Sequence, residues 1–217
     1  MPTNRVDNGP GLAQIGGMAA QSADISSQEV SLGSFFRSSD LEAAGLSRHQ
    51  LPSLLRSGAV VRLGRGLYRR TDAEPSEHYS LAMACAAVPQ SIVCLLTALQ
   101  VHEIGTQAPS AIWLAIPHKA RRPSLQAPKL RIVRFSGPAW TYGVSDTAFE
   151  GVPARITSPA RTIADCFRFE RLVGAEAAIE ALDDGLRSRK VSVAELERLL
   201  DVLPARRLRS ALGVLQR

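Results

Sequence analysis

The chain has 217 residues, 45% of them apolar, and a mean hydropathy near zero, so it can bury a true core in one or two domains. Aromatics make up only 5%, which argues against a fold of stacked rings or a large aromatic ligand pocket. The net charge of +6 and the isoelectric point near 9.8 admit an acidic partner without demanding one.

Residues 1–27 are rich in Gly, Ser, Asn, Gln and Ala without periodicity and read as a disordered tail, within which Met18 is an alternative start. They lack the continuous apolar core of a signal peptide, and no apolar run reaches membrane-spanning length, so a cytoplasmic protein without membrane contact is expected. "SQEVSLGSFF" reads as a short imperfect helix with Val30 and Phe35 or Phe36 inward. In "SSDLEAAG", Ser38 or Ser39 caps a helix that buries Leu41 and Ala44 and closes at Gly45. "LSRHQLPSLLRSG" begins again at Ser47, with Gln50 at capping-box spacing, a stripe of Leu51, Leu54 and Leu55, and Gly58 as the stop. "AVVRLGRGLYRR" alternates around a tight turn at Gly64-Arg65-Gly66, with Val61, Leu63, Leu67 and Tyr68 as its packing side. Three helices and a hairpin in this order outline a winged helix-turn-helix over residues 28–73.

Residues 74–217 read as a second, α+β domain. Leu81, Ala84, Cys85 and Val88 have helical spacing ahead of Pro89, and "SIVCLLTALQVHEIG" is a buried helix with room for a short strand before it. "AIWLAIP", "LRIVRF" and "VPARITS" read as strands. "SPARTIADCF" opens a helix with Ser158 as cap and Pro159 at its first position, and amphipathic helices follow over 171–188, 192–203 and 205–216.

Charge is unevenly placed. Residues 43–71 hold six arginines and no acid, a window whose charge equals that of the whole chain. A recognition helix presents donor-rich side chains from its first turns to base edges, and Ser47, Arg48, His49, Gln50, Ser53 and Arg56 hold those positions. Pro52 means that this helix starts a little later or has an irregular first turn. Arg62, Arg65, Arg69 and Arg70 project from the hairpin toward phosphates or a minor groove, with Arg65 at its tip. A solvated hairpin accounts for Arg69 and Arg70 but poorly for an arginine between two tip glycines. A second acid-free window, 104–145, carries Lys119, Arg121, Arg122, Lys129, Arg131 and Arg134, a secondary nucleic-acid contact or a solvated face.

Catalytic signals are weak. His49, His78, His102 and His118 are dispersed without ligand spacing, and Cys85, Cys94 and Cys166 sit singly in apolar context. Neither a metal, a cofactor nor an enzymatic activity is expected. Arg161 and Asp165 are spaced as an i,i+4 structural pair, and Asp183-Asp184 reads as a solvated helix face.

Two stretches carry a resemblance. "SSDLEAAGLSRHQLPSLLRSGAVVRLGRGLYRR" and "GVPARITSPARTIADCFRF" resemble the AbiEi family of antitoxins of type IV toxin–antitoxin systems, over about residues 30–215. The same module also precedes a nuclease domain in some proteins, and the chain stops where that domain would begin. The resemblance implies a winged helix that binds inverted repeats in double-stranded promoter DNA and represses its own operon. It also implies a C-terminal domain that counteracts a nucleotidyltransferase-like toxin without a stable complex. Carried over by position, Ser47, Arg48, His49, Gln50, Arg62, Arg65 and Arg69 are DNA contacts, while Pro52 departs from the expected recognition helix. The rival expectations are a stand-alone winged-helix regulator and an RNA-binding or processing factor.

Overall fold

The computed structural model describes residues 33–215 except Arg65, Pro75 and Gln126; the expected tail over 1–27 and residues 28–32 of the first expected helix lie outside them. From Phe35 the chain forms β1 (Phe35–Arg37), α1 (Asp40–Ala43), a 3-10 turn (Arg48–Gln50), α2 (Leu51–Ser57), β2 (Val60–Gly64) and β3 (Leu67–Arg70). The strands make an antiparallel sheet in the order β1-β3-β2.

Phe35–Arg37 is therefore a strand where a helix was expected. Its two phenylalanines show why. Phe36 packs with Leu41, Leu54 and Tyr68 under the helices, whereas Phe35 packs with Leu81 and Val152 of the second unit. Consecutive side chains reach opposite sides only with the two-residue period of a strand. The same alternation in β3 sends Tyr68 under the helices and Leu67 toward the second unit. The packing side of β2 also differs from expectation: Val60 is buried and Val61 is exposed. A register shift between Arg62 and Gly64 resets which residues face inward, and Leu63 again packs on the far cluster.

The second unit is built on a five-stranded mixed sheet in the order β6-β5-β4-β8-β7. Its strands are β4 (Ile92–Val93), β5 (Ile112–Pro117), β6 (Leu130–Phe135), β7 (Val144–Phe149) and β8 (Val152–Thr157). Pairs β4–β8 and β5–β6 are parallel, whereas β4–β5 and β7–β8 are antiparallel. Alternation divides the sheet's two faces. Val93, Leu114, Ile116, Ile132 and Ile156 face α3 (Tyr79–Ala87) and the three-stranded sheet. Ile92, Trp113, Ala115, Val133 and Phe135 face the C-terminal helices. These are α5 (Pro159–Arg168), α6 (Glu170–Val173), α7 (Ala175–Arg187), α8 (Val193–Val202) and α9 (Arg206–Leu215), with α4 (Leu95–Val101) feeding both clusters. The helix expected over 171–188 is interrupted at Gly174, whose φ of +95° ends α6 before α7 begins.

The connection after β3 is fastened rather than free. Ser76 donates its backbone N–H (2.8 Å) and its hydroxyl (2.6 Å) to Glu150 Oε1 in the β7–β8 turn. The His78 ring meets Phe149 edge-on at 5.5 Å. Only Phe149 of β7 is buried, so this strand lacks the apolar run that marks β5, β6 and β8, and its hairpin turn places Glu150 at φ +49° before Gly151 at +79°.

Candidate nucleic-acid interface

The segment from Ser47 to Gly58 is shaped by its own caps. The Ser47 hydroxyl accepts from the His49 N–H at 3.3 Å, and Gln50 Oε1 accepts from the Ser47 N–H at 2.8 Å. Both halves of the expected capping box are present, but they close a 3-10 turn, and α2 begins only at Leu51. Pro52 then falls in the first turn of α2, where a missing N–H costs no intrahelical bond. Gly58 at φ +75° ends the helix.

Leu51 and Leu54 face the core, which leaves Arg48, His49, Ser53 and Arg56 exposed and Gln50 half-buried. Ser47 and Gln50 spend an acceptor each on the cap. Arg48 Nε lies 3.1 Å from Glu42 Oε1, with both side chains 60% or more exposed. A pair this open contributes at most about 1 kcal/mol, so a phosphate can replace the glutamate at little loss.

The hairpin arginines separate into different roles. Arg62 is exposed and donates from Nε to the Gly64 carbonyl at 3.1 Å. Arg65, expected at the tip, lies outside the described residues. Arg69 shares the Leu67 face of β3, so it turns toward the second unit instead of projecting outward. Its guanidinium lies 4.9 Å from the Tyr79 ring centre and donates to the Ala73 carbonyl. Arg70 binds Asp72 Oδ1 through Nε at 3.0 Å, and that bond holds the Asp72 carboxyl below the usual carboxylate range. Arg37, not singled out in the sequence, donates across the junction to the Ala86 carbonyl.

The second basic window also divides. Lys119, Arg121, Arg122 and Lys129 are exposed in the loop between β5 and β6. Arg134 folds back and donates from one nitrogen to the carbonyls of Pro117 (3.2 Å), His118 and Ala120 (2.9 Å). Arg131 lies on the opposite face of β6, 5.2 Å from the Trp113 ring.

Arg161, Asp165, His102 and Asp184 are each engaged within the fold. Arg161 is fully buried: Nε donates to Asp165 Oδ2 at 2.8 Å, and its terminal nitrogens donate to the carbonyls of Tyr142 (2.5 Å) and Ala139 (3.0 Å). Arg168 Nη1 donates to the other Asp165 oxygen, Oδ1, at 2.7 Å. Burial pushes the Asp165 carboxyl up against the pull of both arginines. The expected i,i+4 pair is therefore present, but as a core lock between α5 and the segment after β6. His102 Nε2 lies 2.7 Å from the Thr157 carbonyl, and burial lowers its pKa below the ordinary value. Burial raises the thiols of all three cysteines, Cys85 to about 12. Asp184 is not simply solvated: Oδ2 accepts from the Gly105 N–H at 2.8 Å, beside Glu180, which holds Thr106. Among the described residues no group of three or more His, Cys, Asp or Glu is placed to hold a metal ion, and no helix is long and apolar enough to cross a membrane.

Residues 28–71 match the family model of the AbiEi antitoxin transcriptional regulators. The match takes in β1, α1, the capped 3-10 turn, α2 and the β2–β3 hairpin, and it ends at Thr71, before the five-stranded unit. Arg48, His49, Ser53, Arg56 and Arg62 lie within the matched segment and are exposed. The crystal structure of the RV2827C protein from Mycobacterium tuberculosis is similar over both units: it covers 83% of this chain and 70% of its own, at a TM-score of 0.55 and 18% identity. At that identity the likeness is one of fold. No curated protein sequence matches the chain.

Proposed function

We propose that this protein is a cytoplasmic DNA-binding antitoxin of a type IV toxin–antitoxin system, acting by binding and not by catalysis. The AbiEi regulator match over residues 28–71 carries this proposal. β1, α1, α2 and the hairpin form a winged helix-turn-helix, with α2 and the turn before it as the recognition element. Arg48, His49, Ser53 and Arg56 reach base edges and phosphates of inverted repeats in the protein's own promoter, and Arg62 and Arg65 serve the wing. Ser47 and Gln50 shape the element more than they read sequence, because their acceptors close the capping box. Arg69 and Arg70 hold the hairpin's base through Tyr79 and Asp72. Binding represses the operon. The five-stranded unit counteracts a nucleotidyltransferase-like toxin, which need not form a stable complex with it.

Fluorescence anisotropy on the duplex upstream of the gene tests the DNA half of the proposal. The protein should prefer that duplex to a scrambled one, and Arg48→Ala should reduce the preference by about 1–3 kcal/mol, the range for one bidentate base contact. Equal affinity for both duplexes would refute it. Growth rescue by this chain when the neighbouring toxin gene is induced tests the other half; continued growth arrest would refute that.

A further inference from the structure

The loop joining β5 to β6 gathers the most conspicuous free charge outside the AbiEi segment. Lys119, Arg121 and Arg122 are exposed there, with no acidic residue anywhere in 104–145 and no ion pair to any of the three among the described residues. In the AbiEi segment, by contrast, Arg48 pairs with Glu42, Arg69 is stacked on Tyr79, and Arg70 is bound to Asp72.

The loop has a built base. Arg134 donates to three carbonyls around its first turn, at Pro117, His118 and Ala120, so one cation is spent on fixing where the others start. Its direction is fixed as well. β6 alternates, so Ile132 and Arg134 share the face that meets the three-stranded sheet, while Arg131 lies on the other face over Trp113. Ala120 of the loop and Leu63 of β2 pack against the same apolar cluster. The loop and the hairpin therefore lie on one face of the five-stranded sheet. Arg37 donates across that junction to the Ala86 carbonyl, and the Ser76–Glu150 bonds pin the connecting segment to the β7–β8 turn.

From this geometry we infer that Lys119, Arg121 and Arg122 form a second phosphate-binding element, which engages the backbone of the same duplex that the AbiEi segment reads. The inference rests on the DNA reading above. Arg134 is the positioning residue of this element, and Arg131 does not belong to it. Contacts of this type carry charge neutralisation and no sequence information. The element lengthens the footprint and strengthens binding on promoter and scrambled duplex alike.

The experiment compares the full chain with its Arg121→Gln/Arg122→Gln variant by anisotropy, on promoter duplex, scrambled duplex and single-stranded RNA, from 50 to 200 mM salt. Each neutralised phosphate contributes about 0.9 to the slope of log K against log salt, so the double variant should be shallower by about 1.8. Across that fourfold salt range the wild-type protein should then weaken by about 12-fold more than the variant. The deficit should be equal on the two duplexes, and the thermal midpoint should be unchanged because neither side chain holds an ion pair within the fold. An unchanged slope on DNA overturns the inference while leaving the promoter reading intact. A deficit confined to RNA overturns it in favour of an RNA contact. Loss of promoter preference in Arg48→Ala, against its retention in the double variant, separates sequence reading from this backbone contact.

Discussion

The buried triad on α5 gives a prediction whose size can be worked out. In Asp165→Ala, Arg161 remains in the core at 0% exposure with its Nε partner gone, and Arg168 is deprived of the carboxylate that its Nη1 binds. Removing one member of a buried pair leaves an uncompensated charge, which costs about 3–5 kcal/mol. For a chain of this size each kcal/mol lowers the midpoint by about 2–4 °C, so a fall of about 6–20 °C is expected. The two tryptophans, Trp113 and Trp140, both belong to the five-stranded unit, so intrinsic fluorescence during a thermal melt reports the part of the molecule that holds the triad. The double variant Arg161→Met/Asp165→Leu removes the charge problem but leaves the carbonyls of Tyr142 and Ala139 without their donor. Each orphaned carbonyl costs about 1–3 kcal/mol, so rescue should be partial. An Asp165→Ala midpoint within about 2 °C of wild type would show that the aspartate does not compensate a buried guanidinium, and the reasoning would fail.

Gly185 of α7 offers a steric test: a Cβ there would lie 2.7 Å from Ile163 Cδ1 and 3.2 Å from Val191 Cγ2, inside the main core. Gly185→Ala should destabilise by about 1–3 kcal/mol in chemical denaturation despite alanine's better helix propensity; a stabilised variant would mean that the Ile163 δ-methyl can turn aside at no cost. The neutral His102 ring donates to Thr157, and its folded pKa lies below the ordinary 6.5. Below pH 6.5 the unfolded chain takes up that proton before the folded one, so stability falls with falling pH until the folded ring also titrates. His102→Gln keeps a donor and should flatten that decline in denaturant midpoints measured from pH 7.5 to 5; an equal decline would assign it to other groups. Ser47→Ala removes one side of the capping box and should cost about 1 kcal/mol. Faster amide exchange at His49 would report it, and unchanged exchange would count against the cap.

Local signals carried the sequence reading a long way. Ser47 with Gln50 and Ser158 before Pro159 are caps whose physics is contained within four residues, and both are made; the capping box of Ser192 and Glu195 is of the same kind. The apolar runs at β5, β6 and β8 and the spacing of α5 likewise announce themselves, because burial against a sheet demands a fixed period. The basic windows are visible for the same reason: charge is a property of the chain. What each charge does is not. Arg69 and Arg62 look alike in "VVRLGRGLYRR", yet one is stacked on Tyr79 and the other donates to the Gly64 carbonyl of its own hairpin. The partner of Arg70 is Asp72, just past the end of the acid-free window. Tertiary structure alone decided that Phe35 and Phe36 belong to a strand, because it supplied a core on both sides of a three-stranded sheet. It also divided the second window, giving Arg134 to the loop's carbonyls and Arg131 to Trp113, and leaving Lys119, Arg121 and Arg122 to solvent. A sequence fixes which residues can donate or repel; where they can reach is set by strand alternation and by contacts between residues far apart in the chain.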